Sequence, residues 1–453
     1  MSNPGEGDLT PIDSTAQLAA YLAEGCKAPS RFRIGTEHEK FGFQQRSLTP
    51  PPYEPQGIRA MLEGIAKGGW APILDHGNPI GLTQAGSSVS LEPAGQLELS
   101  GAPRETLHET QAELAAHLAE VRAVAEPLGL GFAPLGFHPL ATQADMPWMP
   151  KGRYGIMRRY MPKVGTRGLD MMTRTCTVQV NLDFGSEADM VRKLRVSLAL
   201  QSFATALFAN SPFYEGRPNG VLSNRAMVWT DTDNARAGIP AVVFEDGFGF
   251  ERFAEFALDV PMYFVYRDGH YIDTAGASFR DFMAGKLRGL EGQRPTMGDF
   301  ADHLTTIFTD VRLKRFLEMR GADAGNPAMM VAFSAFWTGL LYDDAALAAA
   351  ESMVRELTAG NLMEVRAAVP TQGLAAPWRH GCLRDLVKPL VAIASEGLAA
   401  RRRFNEAGED ERIYLAPLQA IAEGAPTQAE HWLARYEGAW GRDVRPIFRE
   451  AAI

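Results

Sequence analysis

Cysteine is scarce in this 453-residue chain. Cys26, Cys176 and Cys382 are scattered, with no metal-type spacing among them. That argues against a structural zinc site and against a secreted disulfide scaffold. Positive charge is not gathered anywhere either: 45 Lys and Arg stand against 54 Asp and Glu, for a formal net charge of −9. No segment has the basic footprint that binding nucleic acid requires. The run Arg401, Arg402, Arg403 reads as a solvated helix end. No uninterrupted apolar run approaches the roughly 20 residues needed to cross a bilayer. The opening MSNPGEGDLTPIDS lacks the basic start and apolar core of a secretory signal. These absences lead to the expectation of a cytoplasmic enzyme that binds no nucleic acid and no membrane. A G-x-x-x-x-G-K-[ST] loop, a glycine fingerprint opening a βαβ unit and a G-x-S-x-G elbow are also missing. A P-loop enzyme, a Rossmann dehydrogenase and a serine hydrolase are therefore disfavoured.

What is present is alternation. Four segments carry polar residues at every second position: Arg33–Phe43, Ser88–Gly101, Thr173–Phe184 and Arg315–Asp323. Successive side chains of a strand point to opposite faces, so residues two apart share a face. Glu37 and Glu39 then share one face, and Gln96 and Glu98 another. Thr175, Thr177, Gln179, Asn181 and Asp183 line up against an apolar set of Cys176, Val178, Val180, Leu182 and Phe184. Glu318 and Arg320 share a face opposite Leu317 and Met319. Such strands suit two arrangements: a solvent-facing sheet surface, or the wall of one cavity. Glu318 and Arg320 likewise suit a surface ion pair or a site. The clustering of Glu37, Glu39, Glu92 and Glu98 points towards a cavity, because crowded carboxylates need cations, and hard oxygens suit Mg²⁺. Phosphoryl transfer uses divalent cations and basic side chains to position anionic oxygens. Glu37, Glu39, Glu92, Glu98, Glu318 and Gln179 are the candidate metal ligands. Arg174, Arg225, Arg236 and Arg320 are the candidate counter-charges. Cys176 lies on the apolar face and reads as core.

Around these strands the pattern predicts a helix from about Asp13 to Glu24, another over Gln56–Lys67, and hairpins through Trp70–Gly101. A long helix is expected with Pro103 in its first turn and an end before Pro127. A basic stretch follows at Lys151–Pro162, and Ser186 caps a helix reaching about Asn210. Met262–Thr274 reads as a hairpin turning at Asp268-Gly269. From Ala328 onward the chain is mainly helical. Strands scattered among helices without βαβ alternation give an α+β fold with a mainly antiparallel sheet. A single catalytic domain over residues 1–453 is expected, with the sheet core in 30–325 and a helical part in 326–453.

The stretches GTEHEKFGF, SVSLEPAGQLELSGAP, GLDMMTRTCTVQVNLDF, PNGVLSNRAMVWTDTDNARAG, DVPMYFVYRDGHYIDT and LTTIFTDVRLKRFLEMRGADAG resemble the plant and proteobacterial type of glutamate–cysteine ligase, in order and over nearly the whole chain. That resemblance implies a glutamine-synthetase-like cradle: a curved, mainly antiparallel sheet with helices outside. It implies the reaction of ATP, L-glutamate and L-cysteine to γ-glutamylcysteine, ADP and phosphate, the first step of glutathione synthesis, with Mg²⁺ as the metal. By motif it assigns metal binding to Glu37, Glu39, Glu92, Glu98, Gln179 and Glu318, and catalysis to Glu318 and Arg320. Substrate recognition goes to Arg225, Arg236, Met171, Met172, Thr173 and Arg174, and nucleotide contact to Asn181 and Arg320. A monomer or homodimer is expected. Plant members carry cysteines that form regulatory disulfides; at the matching places this chain has Gln111, Thr274, Gly289 and Val331. Two alternatives accompany the resemblance: a related carboxylate–amine ligase with another amine acceptor, and a catalytically silent binding homologue.

Overall fold

The computed structural model describes residues 7–453. The reading of the N-terminal segment therefore falls in part on residues outside the description. The centre is an open sheet of nine strands. They are β1 (Ile34–Gln44), β2 (Ala71–Asp75), β3 (Asn78–Gln84), β4 (Ser87–Leu91), β5 (Leu97–Ser100), β6 (Leu130–Ala133), β7 (Thr177–Leu182), β8 (Val311–Leu313) and β9 (Leu317–Asp323). The order is β8-β9-β7-β1-β5-β4-β3-β2, with β6 beside the far half of β1. Every pairing in this sheet is antiparallel. The α+β expectation is met.

Register brings the polar residues together. In β1, Glu37 lies opposite Gln179 of β7, and Glu39 lies opposite Glu98 of β5. On β7, Asn181 is paired with Gly35 on one side and Glu318 on the other. The alternate residues Val178, Val180, Leu182, Leu317 and Met319 face the main apolar core. Two buried helices close that side: α6 (Glu187–Leu207), capped by Ser186 on Asp189 N, and α8 (Pro327–Leu341), with Pro327 in its first turn and Asn326 as cap. (Between them, α7 is Asn224–Val228.) Helices α1 (Thr15–Ala23), α2 (Ile58–Ala66) and α3 (Leu107–Ala125) supply further cover. Behind β7 and β9 the sheet is thus apolar, and in front it is polar.

Some local expectations shift for clear reasons. Helix α3 starts at Leu107, four residues after Pro103, because Thr106 and Glu109 form a reciprocal capping box there. The Ser88–Gly101 segment is two strands, joined by a turn in which Gly95 N donates to Glu92 O at 2.9 Å. Gly95 takes φ +84°, a conformation open to glycine, and the turn throws Glu92 over the polar face. The basic stretch 151–162 becomes helix α4 (Gly152–Val164). The third polar segment begins later than its alternation suggested, since Thr173 and Arg174 end helix α5 (Gly168–Arg174). Thr173 and Thr175 there donate their hydroxyls to the carbonyls of Leu169 and Met171, four residues back. This bond lets a threonine complete a helical turn.

The rear of β1 is polar as well. Lys40 Nζ sits 3.0 Å from His38 Nδ1 and 3.1 Å from His117 Nε2, all three buried. Burial pushes Lys40 down to about 7 and holds both imidazoles well below their usual range. Elsewhere, burial lowers His138 to about 3 and His303 to about 4. Each of these four histidines is neutral when folded and takes a proton near pH 6.5 when unfolded. The histidines' contribution to stability is therefore complete above pH 6.5 and is lost as pH falls towards the folded values, because the unfolded chain binds more protons. We predict that urea unfolding from pH 7 to pH 5 shows stability falling with acid. His303→Gln should reduce that slope by one proton's worth, about 1 kcal/mol per pH unit. An unchanged slope in the variant would remove His303 from this set.

Candidate active site

The front of the sheet carries one cavity with two walls of opposite charge. The anionic wall holds Glu37 and Glu39 from β1, Glu98 from β5 and Glu92 from the turn before it. Glu98 accepts hydrogen bonds from Ser90 Oγ at 2.7 Å and Ser100 Oγ at 3.3 Å. Glu39 accepts from Thr177 N at 2.9 Å, and Glu37 from Asn181 Nδ2 at 2.7 Å. Burial raises the Glu37 carboxyl, with Glu318 and Glu98 adding to the effect. Burial raises Glu39 well above the usual carboxylate range, reinforced by Glu92 and Glu98. Like charges directly opposite in a sheet destabilise it. The Glu39–Glu98 pair therefore carries a cost that a nearby cation would offset.

Across β7, on the same face of the sheet, the other wall is cationic. Arg312 of β8 grips Glu318 with Nε at 2.6 Å from Oε2 and Nη2 at 2.8 Å from Oε1. Lys314 Nζ lies 3.3 Å from Oε2. Arg320 Nη1 reaches Glu318 Oε1 at 2.7 Å and Gln179 Oε1 at 2.6 Å. Although Glu318 is fully buried, these three cations hold its carboxyl well below the usual range. Arg320 is aimed by a bulge: the β9–β7 register shifts between Met319 and Ala322. Three bonds pin that bulge. Thr177 Oγ1 donates to Ala322 O, Thr205 Oγ1 to Gly321 O, and Arg225 Nη2 to Arg320 O. A bulge redirects a side chain that regular pairing would fix, as is common beside active sites.

A third side is apolar. Met171 and Met172 of α5, Tyr154 and Met157 of α4, Trp229 and Phe308 line it, and Arg153 of α4 lies at its edge. Gln96 ties this side to the sheet through Nε2 donated to Met172 O and Thr175 O.

Most of the residues expected from sequence meet here: Glu37, Glu39, Glu92, Glu98, Gln179, Glu318, Arg320, Arg225, Met171 and Met172. Asn181 reaches the wall through Glu37. Three others lie elsewhere. Arg236 is buried behind the cavity, with Nε on Asp233 at 2.6 Å, Nη1 on Thr306 O at 3.1 Å and Nη2 on Pro261 O at 2.6 Å. Its guanidinium stacks 3.8 Å from the Tyr263 ring centroid. Arg174 lies against the stacked Phe137 and Tyr214 rings, paired with Asp170 and Glu215. Thr173 turns its hydroxyl back into α5. In each case internal hydrogen bonds use the group, outside the lining of this cavity. Sequence reasoning missed Arg312, Arg153, Met157, Trp229 and Phe308. Arg312 had a signal: Arg312 and Lys314 alternate in VRLK, one short turn before Glu318 and Arg320.

The residues fit a hard divalent cation as the chemistry of oxygen donors, from Glu37, Glu39, Glu92, Glu98 and Gln179. Among the described residues no three acidic, His or Cys side chains converge tightly enough to enclose an ion alone. A cation here would complete its shell with water or substrate oxygens, the usual habit of Mg²⁺. Glu318 already has both oxygens occupied by Arg312 and Arg320, so it would join that shell only by exchanging a cationic partner.

Comparison with known proteins gives one consistent picture. A family model described as glutamate-cysteine ligase family 2 matches residues 33–450. The chloroplastic glutamate–cysteine ligase of Nicotiana tabacum is 55% identical over 434 residues, covering 96% of this chain and 82% of that protein. The one from Arabidopsis thaliana is 53% identical, over 96% and 82%. Glutamate–cysteine ligase B of Oryza sativa subsp. japonica is 54% identical, over 96% and 86%. In fold, the chain is similar to the crystal structure of glutamate–cysteine ligase from Francisella tularensis in complex with AMP. That match has TM-score 0.54 and 11% identity, over 92% of this chain and 88% of the other. The expectation of a cytoplasmic enzyme is corrected by these relatives, which are named chloroplastic. Composition and a missing signal core do not separate the two compartments.

The placement of Arg236 has a direct consequence. Arg236→Met leaves Asp233 buried without its partner, which costs about 3 kcal/mol or more. The measurement is urea unfolding of purified variant and wild type. Equal stability would show that Arg236 is not a structural residue.

Proposed function

We propose, for a chain that belongs to glutamate-cysteine ligase family 2, that it joins the γ-carboxylate of L-glutamate to the amine of L-cysteine with ATP. The products are γ-glutamylcysteine, ADP and phosphate, the first step of glutathione biosynthesis. The observation that carries this reading is the pair of oppositely charged walls that line one cavity. Transfer of the γ-phosphoryl group to a carboxylate gathers anionic oxygens that repel one another, and the cationic wall of Arg320, Arg312 and Arg225 faces the place where they meet. Among the described residues nothing accepts from Arg320 Nε or Nη2, so these can donate to the phosphoryl oxygens as their charge shifts in the transition state. The anionic wall cannot do this itself. Glu37, Glu39, Glu92, Glu98 and Gln179 are the residues that would hold Mg²⁺, which when bound neutralises phosphate charge. With the donor carboxylate activated as γ-glutamyl phosphate, the neutral cysteine amine attacks its carbonyl carbon, the carbon–oxygen bond to phosphate breaks, and the amine's proton leaves with the phosphate as hydrogen phosphate. The apolar side formed by Met157, Met171, Met172 and Tyr154 keeps water from that carbon and suits an uncharged thiol side chain. Asn181 acts by orienting Glu37.

A related ligase with another amine acceptor would share the first half-reaction. The test is ADP release from ATP and L-glutamate with cysteine, with other amines and with no acceptor. Release that depends on glutamate and rises most with cysteine supports the proposal; a greater rise with another amine identifies that alternative. We further predict that Glu37→Gln, Glu98→Gln and Arg320→Lys remain folded and lose at least about 10²-fold in turnover, as removal of preorganised charge does. Near-normal turnover at limiting Mg²⁺ in either Glu variant would take that residue out of the metal site.

A further inference from the structure

The two arginines that touch Glu318 are not equivalent. Arg312 comes from β8, opposite Glu318 in the β8–β9 pairing. It uses two nitrogens on the two carboxylate oxygens and spends Nη1 on Thr305 O at 2.7 Å and Ile307 O at 3.3 Å. It is therefore anchored at both ends and buried. Arg320 touches the same carboxylate with one nitrogen only and shares that nitrogen with Gln179.

An arginine two residues from a carboxylate on one strand face has a lower-energy choice: a two-pronged fork, which is stronger than a single hydrogen bond. That choice would draw Arg320 back against Glu318 and away from the cavity. It is closed because Arg312 already holds the fork position. We infer that Arg312 is a positioning residue for the phosphoryl-transfer step: by occupying both oxygens of Glu318, it leaves Arg320 a single contact and keeps the rest of its guanidinium presented to the cavity. Lys314 adds charge at Oε2 and cannot replace the fork, since an ammonium is a point donor. This inference rests on the ligase reading given above. It concerns how the cationic wall is set.

Arg312→Lys is the first test, because it keeps the buried charge. The readouts are kcat and KM for ATP in the glutamate-dependent assay, calorimetric affinity for a non-hydrolysable ATP analogue, and urea unfolding. A displaced Arg320 should lower kcat about 10- to 100-fold, as a misplacement of about 1 Å can. Analogue affinity and KM should stay within about threefold, since ground-state binding does not need the transition-state contact. Unchanged kcat in folded Arg312→Lys would overturn the inference, as would a kcat loss matched by an equal loss of analogue affinity. The second test is a cycle on Glu318→Gln, where no buried carboxylate is stranded if Arg312→Gln is added. With radiolabelled ATP to follow residual turnover, the added change should have less than about a fivefold effect, because Arg312 acts through Glu318. A larger drop would mean that Arg312 touches substrate itself, and the inference fails. Absence of glutamate-dependent ADP release in the wild type would defeat the ligase reading instead, so the two failures are distinguishable.

Discussion

Crowded negative charge is the constraint on which the rest of this molecule depends. β1 carries Glu37 and Glu39 on one face, and register places Glu98 directly across from Glu39. The turn closed by Gly95 adds Glu92. Such a cluster would be expelled from a partly buried place unless the surroundings fixed it there. The fixing is done from behind by helices α6 and α8 against the apolar side of β7 and β9. It is done from the front by hydrogen bonds such as Thr177 N to Glu39 and Ser90 to Glu98. A surface gains nothing from this outlay. A site that must gather phosphates and a divalent cation does.

The opposite wall answers a complementary problem. Arg312, Lys314 and Arg320 repel one another, and Glu318 is the shared anion that holds them within reach. Burial alone would raise the Glu318 carboxyl, and the three cations reverse the sign. The bulge at Arg320 and Gly321 then turns one cation outward. Arg225, Thr177 and Thr205, from three different elements, pin the bulge through backbone carbonyls. Arg225 is thus fixed at one end to the strand it serves, and what remains of its guanidinium faces the cavity.

What could be read from sequence was set by period. Glu37 with Glu39, Gln179 with Asn181, and Glu318 with Arg320 are two apart on strands, and the pleat places them without help from distant chain. Glu92 was legible as a candidate through the crowding of acidic residues, but the turn that carries it was not, because alternation alone does not mark where one strand ends and the next begins. The positions of Arg174 and Arg236 were not legible, because a guanidinium is long and its five N–H groups donate to whatever carbonyls and carboxylates tertiary packing brings. Their partners Glu215, Pro261 and Thr306 are 25 to 70 residues away in the chain, or lie on elements whose approach no local pattern encodes. Trp229 closes a short helix, Phe308 sits in a two-residue strand and Met157 in a helix, none with an alternation to mark it. Arg312 was within reach of the same rule that found Glu318, since β8 and β9 form a tight hairpin and its alternate residues face the same way. The start of β7 was misplaced because threonines at 173 and 175 serve a helix end as readily as a strand.

The central claim is that the two walls divide the labour, with cations held on the β1–β5 side and the transferred phosphoryl group met from the β8–β9 side. Anomalous diffraction from crystals grown with Mn²⁺, a non-hydrolysable ATP analogue and L-glutamate tests it most directly. The account predicts manganese peaks among Glu37, Glu39, Glu92 and Glu98, with the γ-phosphate between them and Arg320, and Arg312 still forked on Glu318. Manganese bound away from those four carboxylates, or a γ-phosphate remote from Arg320, would contradict it.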